Sequence, residues 1–196
     1  MKIIGHRGAR GLAPENTVLG IRVAMREKVD MIELDLWAQD GKIVLSHDPL
    51  VEGKKYTTLA QALKKVDSKL PLNLELKDPE VLRLLKKEMH GYKGEVVFSS
   101  FNYKILQIVK NIFPKSEIAV LEKWSGVRAV ARASRLGTKR IHINHKALWS
   151  GFVKSMKHKD YKLYAYTVNL SDRAEELEKW GIDGIFTDYP NLFKDR

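Results

Sequence analysis

The segment Met1-Lys2-Ile3-Ile4-Gly5-His6-Arg7-Gly8-Ala9-Arg10-Gly11-Leu12-Ala13-Pro14-Glu15-Asn16-Thr17 holds, in order, a short apolar run, a glycine-rich turn led by His and Arg, and a helix opening. A Pro-Glu pair suits a first helical turn, because proline has no N–H to lose there and carries a preset φ. The segment is therefore one strand–turn–helix unit, with polar chemistry at the strand's end. The same unit recurs along the chain. Strands are expected at 2–6, 31–36, 71–77, 95–99, 117–121, 140–144, 162–167 and 184–187, many of them near-continuous in Ile, Val and Leu. Such runs belong to parallel strands buried on both faces. Helices are expected between them, at 15–27, 59–66, 79–90, 102–112, 127–136, 149–157 and 171–180, with Ser171 as an N-cap and Gly137 and Gly181 as stops. Asp40-Gly41 between Leu36 and Ile43 predicts a small hairpin after the second strand.

Eight such units in an uninterrupted chain of 196 residues imply an α/β fold of the (β/α)8 TIM-barrel type, a compact single domain over residues 1–196. An open doubly wound sheet is the competing topology, but its Gly-rich dinucleotide fingerprint is missing. The chain has no cysteine, and no apolar run approaches the roughly 18 residues that span a bilayer. The first strand starts at once, so the expectation is a cytoplasmic protein without stable membrane insertion. The net charge of +11 favours anionic partners. Most of the lysines are scattered along helices, as solvated faces are, and no basic–aromatic stripe indicates nucleic acid.

In a barrel of this type the site lies where strands end. His6 and Arg7 end the first strand, Glu33 and Asp35 the second, and Glu75 and Lys77 the third. Residues two apart on a strand share a face, so Glu33 and Asp35 point the same way. Carboxylates so placed repel each other unless a cation sits between them. An all-oxygen set of Glu33, Asp35 and Glu75 suits a hard divalent cation, Mg²⁺ or Ca²⁺, with Mn²⁺ as a third candidate. A buried salt-bridge network with Lys77 and Arg7 is the alternative. His6 and His47 are the natural proton carriers, since imidazole titrates near neutrality. Arg7 presents a fork and Lys77 a point charge to phosphate oxygens. Arg10 is a possible second phosphate ligand, Glu15 and Asn16 are expected to orient Arg7 or cap the turn, and Tyr166 and Trp37 are candidate pocket walls. The set suits metal-assisted cleavage of a phosphate ester.

Taken together, His6-Arg7-Gly8 through Pro14-Glu15-Asn16-Thr17, Glu33-Leu34-Asp35, Asp40-Gly41 to His47-Asp48, and Leu74-Glu75-Leu76-Lys77 resemble the glycerophosphodiester phosphodiesterase family. The resemblance continues through Ser99-Ser100-Phe101, Tyr166-Thr167-Val168-Asn169 and Gly181 to Pro190. It implies a (β/α)8 barrel that hydrolyses glycerophosphodiesters to sn-glycerol 3-phosphate and an alcohol with a divalent cation. By matching position, His6 and His47 would be the acid–base pair, Glu33, Asp35 and Glu75 the metal ligands, and Arg7 and Lys77 the phosphate ligands, with a small-molecule glycerophosphodiester as partner. Family members commonly carry an inserted segment after the second histidine motif, where this chain has only Leu50 to Thr58. That trimming explains the short chain and predicts an open pocket. Two rival functions follow from other features. A lysophospholipase D acting on lysophospholipids, possibly by way of a cyclic phosphate, would use Trp124 and Leu148-Trp149 as an apolar groove, and a nonenzymatic anion-binding module would use the net charge.

Overall fold

The computed structural model describes residues 1–193. Its sheet is closed. Eight parallel strands, β1 (Lys2–Gly5), β2 (Met31–Gln39), β4 (Leu72–Leu76), β5 (Val96–Ser100), β6 (Glu117–Glu122), β7 (Arg140–Asn144), β8 (Lys162–Tyr166) and β9 (Gly184–Thr187), pair in sequence order. β9 then pairs with β1, Thr187 opposite Gly5, and β1 with β2, Ile4 opposite Met31. The antiparallel β3 (Lys42–Leu45) pairs with β2 and stands outside the barrel, with Asp40 and Gly41 at the predicted hairpin turn. Among the described residues seven helices cover the barrel: α1 (Val18–Arg26), α2 (Leu59–Val66), α3 (Val81–Glu88), α4 (Tyr103–Ile112), α5 (Gly126–Leu136), α6 (Ser150–Lys157) and α7 (Ser171–Trp180). A 3₁₀ turn, Pro190–Phe193, follows β9.

Strand periodicity builds two cores. On β2, Ile32, Leu34 and Leu36 point outward and join the larger cluster under the helices, while Met31 turns inward with Ile4, Val97, Ala119, Tyr164 and Phe186. Full burial of each such Leu or Ile stabilises the fold by about 1.5–3 kcal/mol. The barrel floor is polar. Arg140, 3% exposed, donates from Nε to His142 Nε2 at 3.0 Å, pairs with Glu117 at 2.7 Å and lies 4.0 Å over the Tyr164 ring. Burial and the neighbouring Arg140 charge hold His142 well below the usual imidazole range, so this histidine is neutral.

Helix starts shift by one to three residues from the sequence reading at α1, α3, α4, α5 and α6, and the cap of α7 is not the expected Ser171. α1 begins at Val18 rather than Glu15, because Thr17 is the cap, its hydroxyl accepting from Gly20 N at 3.0 Å. Ser171 is the first helical residue of α7. Leu170 occupies the cap position and makes no side-chain cap bond. By contrast, Thr58 and Gln61 form a reciprocal capping box on α2.

At the end of β6, Glu122 is 1% exposed and accepts from Arg128 Nε at 2.7 Å and from Lys123 N and Trp124 N at 2.9 Å each. Burial resists its charge, but these donors win and hold the carboxyl down to about 2. A depressed carboxylate stabilises the fold above its ordinary pKa of about 4.5 and loses that contribution as pH falls through the folded value. Glu122→Gln should therefore cost ~2 kcal/mol at pH 7, after discounting for the solvated arginine. Urea unfolding at several pH values is expected to show the gap between wild type and variant closing below pH ~4; a gap independent of pH would remove the ionic contribution.

Candidate active site

The mouth of the barrel opens onto a cavity of about 510 Å³ whose lining includes His6, Arg7, Glu33, His47, Glu75 and Lys77. The first turn is set by close approach. A Cβ at Gly5 would sit 2.2 Å from the Gly8 carbonyl oxygen, and one at Gly8, where φ is +89°, would sit 2.7 Å from the backbone of Gly20. The loop thus folds flat against α1. Arg7 is itself in the left-handed region (φ 52°), which aims its N–H at Glu33 Oε2, 2.7 Å away.

The three predicted acids converge. One oxygen each from Glu33, Asp35 and Glu75 lies within 4.8 Å of the others, and all three residues are buried. Register explains the meeting, since Asp35 is the direct partner of Glu75 across the β2–β4 ladder. Burial, then repulsion from Asp35 and Glu75, pushes Glu33 well above the usual carboxylate range. Burial and Asp35 push Glu75 up to about 7, against the opposing pull of Lys77. Lys77 closes one side, 2.7 Å from Glu75 and 3.3 Å from Asp35, and these carboxylates raise its pKa although burial opposes its charge. Arg7 closes the other side at 3.5 Å from Asp35. Even so, Glu33 Oε1 is buried with no hydrogen-bond partner. Two cations therefore do not satisfy the cluster, and three converging buried acids, one with an unpaired oxygen, fit a hard divalent cation.

The imidazoles differ in surroundings. His6 Nδ1 is 2.7 Å from Asp188 Oδ1, and Asp188 is in turn held by Asn169 Nδ2 at 2.8 Å. His47, 36% exposed, has Nδ1 2.8 Å from the exposed Asp48. Burial, Lys77 and Arg7 lower the His47 pKa. Tyr166 lines the cavity with its ring, its hydroxyl donating to the Glu122 carbonyl at 2.7 Å and its edge meeting Phe101. Trp37 is not a wall. It pairs with Val44 on the hairpin, beyond the cavity lining. Arg10 does reach the cavity rim, tied to Glu15 at 2.8 Å.

Several contributors went unassigned in the sequence. Glu15 orients Arg7 as expected, at 3.0 Å, but Asn16 serves Asp35 instead: Nδ2 donates to Oδ2 at 2.9 Å, and Oδ1 accepts from Asp35 N at 3.1 Å. A left-handed φ of 56° lets Asn16 turn inward, a conformation asparagine tolerates. Asp188, directly after β9, is the partner of His6. Asn73 also lines the cavity, buried, with Nδ2 bonded to Ser99 Oγ and Oδ1 unpaired. The spacing of Asn73, two residues before Glu75 on one strand, was the available signal.

A buried acid cluster with fixed cations, sharing one cavity with two imidazoles at the C-terminal end of a closed (β/α)8 barrel, is the set that phosphate-ester hydrolases of the barrel class use. The glycerophosphoryl diester phosphodiesterase family model matches residues 6–75 and 52–192. The protein YhdW of Bacillus subtilis strain 168 is 30% identical over 233 aligned positions, covering 98% of this chain and 96% of its own length. A glycerophosphodiester phosphodiesterase of Caldanaerobacter subterraneus subsp. tengcongensis is 27% identical over 228 positions, covering 96% of this chain and 94% of its own. The chain belongs to the glycerophosphoryl diester phosphodiesterase family and is an enzyme of that kind. Both alignments run longer than the chain, so these relatives carry segments that it lacks. In fold it is similar to an Oleispira antarctica phosphodiesterase whose structure holds the product sn-glycerol-3-phosphate (TM-score 0.92, 24% identity, 100% of this chain and 96% of that one).

Proposed function

We propose that the enzyme hydrolyses small glycerophosphodiesters to sn-glycerol 3-phosphate and an alcohol, with a divalent cation held by Glu33, Asp35 and Glu75. The unpaired, buried Glu33 oxygen beside two further acids carries this reading. When bound there, such a cation supplies Lewis-acid polarisation of a phosphoryl oxygen.

The chain's own groups then divide the work. Arg7 and Lys77 take the non-ester oxygens, where negative charge grows as the bond breaks. Their positions are held by Glu15 on one side and by Glu75 and Asp35 on the other. His47, kept neutral by burial and by the two nearby cations, accepts the proton of the attacking oxygen, whether that oxygen is water or the substrate's own glycerol hydroxyl. His6, held in orientation by Asp188 against Nδ1, gives a proton from its other nitrogen to the departing alkoxide. The rings of Tyr166 and Phe101 wall the pocket.

Phosphorus NMR on a panel of glycerophosphocholine, glycerophosphoethanolamine and lysophosphatidylcholine tests this directly. The expected product is glycerol 3-phosphate from the first two, with turnover abolished by EDTA and restored by Mg²⁺ or Ca²⁺. Undiminished turnover after chelation and dialysis would falsify the cation assignment, and turnover of the lysophospholipid alone would exchange the substrate class.

A further inference from the structure

The exposed large apolar side chains of the described residues are not spread evenly over the barrel. All but Ile108 lie on segments that leave the catalytic end, or in the first turns of the helices that follow. They include Leu12, Phe101, Trp124, Trp149, Leu170 and Leu192. The connections at the opposite end, residues 27–30, 67–71, 89–95, 113–116, 137–139, 158–161 and 181–183, contain none, and instead expose charges such as Lys28, Lys69, Lys139 and Lys159. Both ends expose charge, but only the catalytic end also exposes large aromatic and aliphatic side chains. Exposed apolar side chains gathered on one end mark an interaction surface rather than ordinary scatter.

Two of these tryptophans stand on neighbouring loops, after β6 and β7. Trp149, 55% exposed, has its ring centroid 5.1 Å from that of Phe152. Phe152 in turn lies against Gly126, where a Cβ would come within 2.6 Å of its ring. Gly126 opens α5, two residues after Trp124, which is 72% exposed. Leu121, Phe101 and Tyr166 lie in the cavity lining. Cations stand among these side chains: Lys123, 4.7 Å over the Trp124 ring, with exposed Lys54, Lys55, Lys146 and Arg10 on the same end of the barrel. The acids exposed on these segments include Asp48, Glu52 and Asp172. The whole chain carries +11.

We infer that the catalytic end of the barrel docks on an anionic lipid bilayer, with Trp124 and Trp149 entering the headgroup region and the surrounding lysines meeting the lipid phosphates. Indole is amphipathic and settles at the membrane–water interface, and lysines beside it add attraction to anionic headgroups. Among the described residues no helix is long and apolar enough to cross a membrane, so the association is peripheral. In this pose the open cavity, whose apolar lining includes Leu121, Phe101 and Tyr166, faces the bilayer, and the two tryptophans stand outside that lining. Docking does not depend on how His6 and His47 divide the proton transfers, since its readout is binding.

Sedimentation of the full chain with vesicles of phosphatidylcholine, alone or mixed with phosphatidylglycerol, tests the surface. Binding is expected only to the anionic vesicles, with a blue shift of tryptophan emission and weakening as salt rises. The Trp124→Ala/Trp149→Ala double variant should bind at least about tenfold more weakly. It should still hydrolyse dispersed glycerophosphocholine at the wild-type rate. Ile108→Ala, an exposed apolar residue off this end, should bind as wild type. If the double variant melts early, Trp149→Ala alone carries the comparison. Equal binding to both vesicle types, no loss in the tryptophan variants, or an equal loss in Ile108→Ala would overturn the proposal. So would a concentration-dependent dimer that the tryptophan variants abolish, which would give the patch to a second copy of the chain.

Discussion

Replacing His47 or His6 by Ala is expected to lower kcat/KM for glycerophosphocholine by roughly 10²–10⁴-fold, the usual contribution of a positioned acid or base. The two losses should differ in kind. His6 is the group beside Asp188 and is assigned to protonating the leaving alkoxide. A nitrophenyl ester of glycerol phosphate releases a stabilised nitrophenolate, which needs no proton to leave. His6→Ala should therefore recover much of its activity on the nitrophenyl ester, while His47→Ala should not, because the attacking oxygen still needs a base. Recovery in the reverse pattern would swap the assignments, and near wild-type turnover in either variant would remove that imidazole from the chemistry. Both histidines line the open cavity and neither belongs to the apolar clusters, so melting temperatures should barely move.

Glu33→Gln is expected to separate a cation site from a salt-bridge network. Wild-type protein saturated with Mg²⁺ or Ca²⁺ at about 100 times Kd gains about 2.7 kcal/mol over chelated protein. For a domain of this size that is a rise of roughly 5–10 °C in melting temperature. In the variant the rise should largely vanish, with turnover down at least about 100-fold. In chelator the variant should melt no lower than wild type, since burial and the neighbouring Asp35 and Glu75 already disfavour a charge on Glu33 and one of its oxygens is unpaired. A purely structural network predicts the opposite, since deleting a member of a buried ion-pair set typically costs 3–5 kcal/mol. Differential scanning calorimetry with and without cation distinguishes them. Equal cation-induced shifts in both proteins would rule out Glu33 as a ligand.

Much of the acid cluster was legible because it depends on a local rule. Glu33 and Asp35 share a face by strand periodicity alone, and Glu75 and Lys77 repeat the spacing, so recognising two strands was enough to collect the side chains. The strands themselves were visible as Ile, Val and Leu runs. Helix starts were harder. Pro14-Glu15 imitates a first turn, but the chain spends Asn16 on Asp35 and caps with Thr17, so α1 starts three residues late. Asp188 was unreadable as a partner of His6, from which it is separated by nearly the whole chain. The two become neighbours only because β9 closes the sheet onto β1. Trp37, Trp124 and Trp149 show the same limit. Nothing in their sequence neighbourhoods separates a tryptophan on an outlying hairpin from two that project at the catalytic end.

What the residues alone determined is the inventory and its order: eight barrel strands, the acids and cations that end them, and two histidines, one behind Gly5 and one before Asp48. Those follow from interactions within a few positions of chain, where periodicity and turn chemistry act. Which groups stand opposite one another, which imidazole rests on a carboxylate, how strongly the acids strain against each other, and which barrel end exposes large apolar side chains were decided by closure. Closing the barrel sets the registers, and registers set the distances and burial on which charge interactions depend.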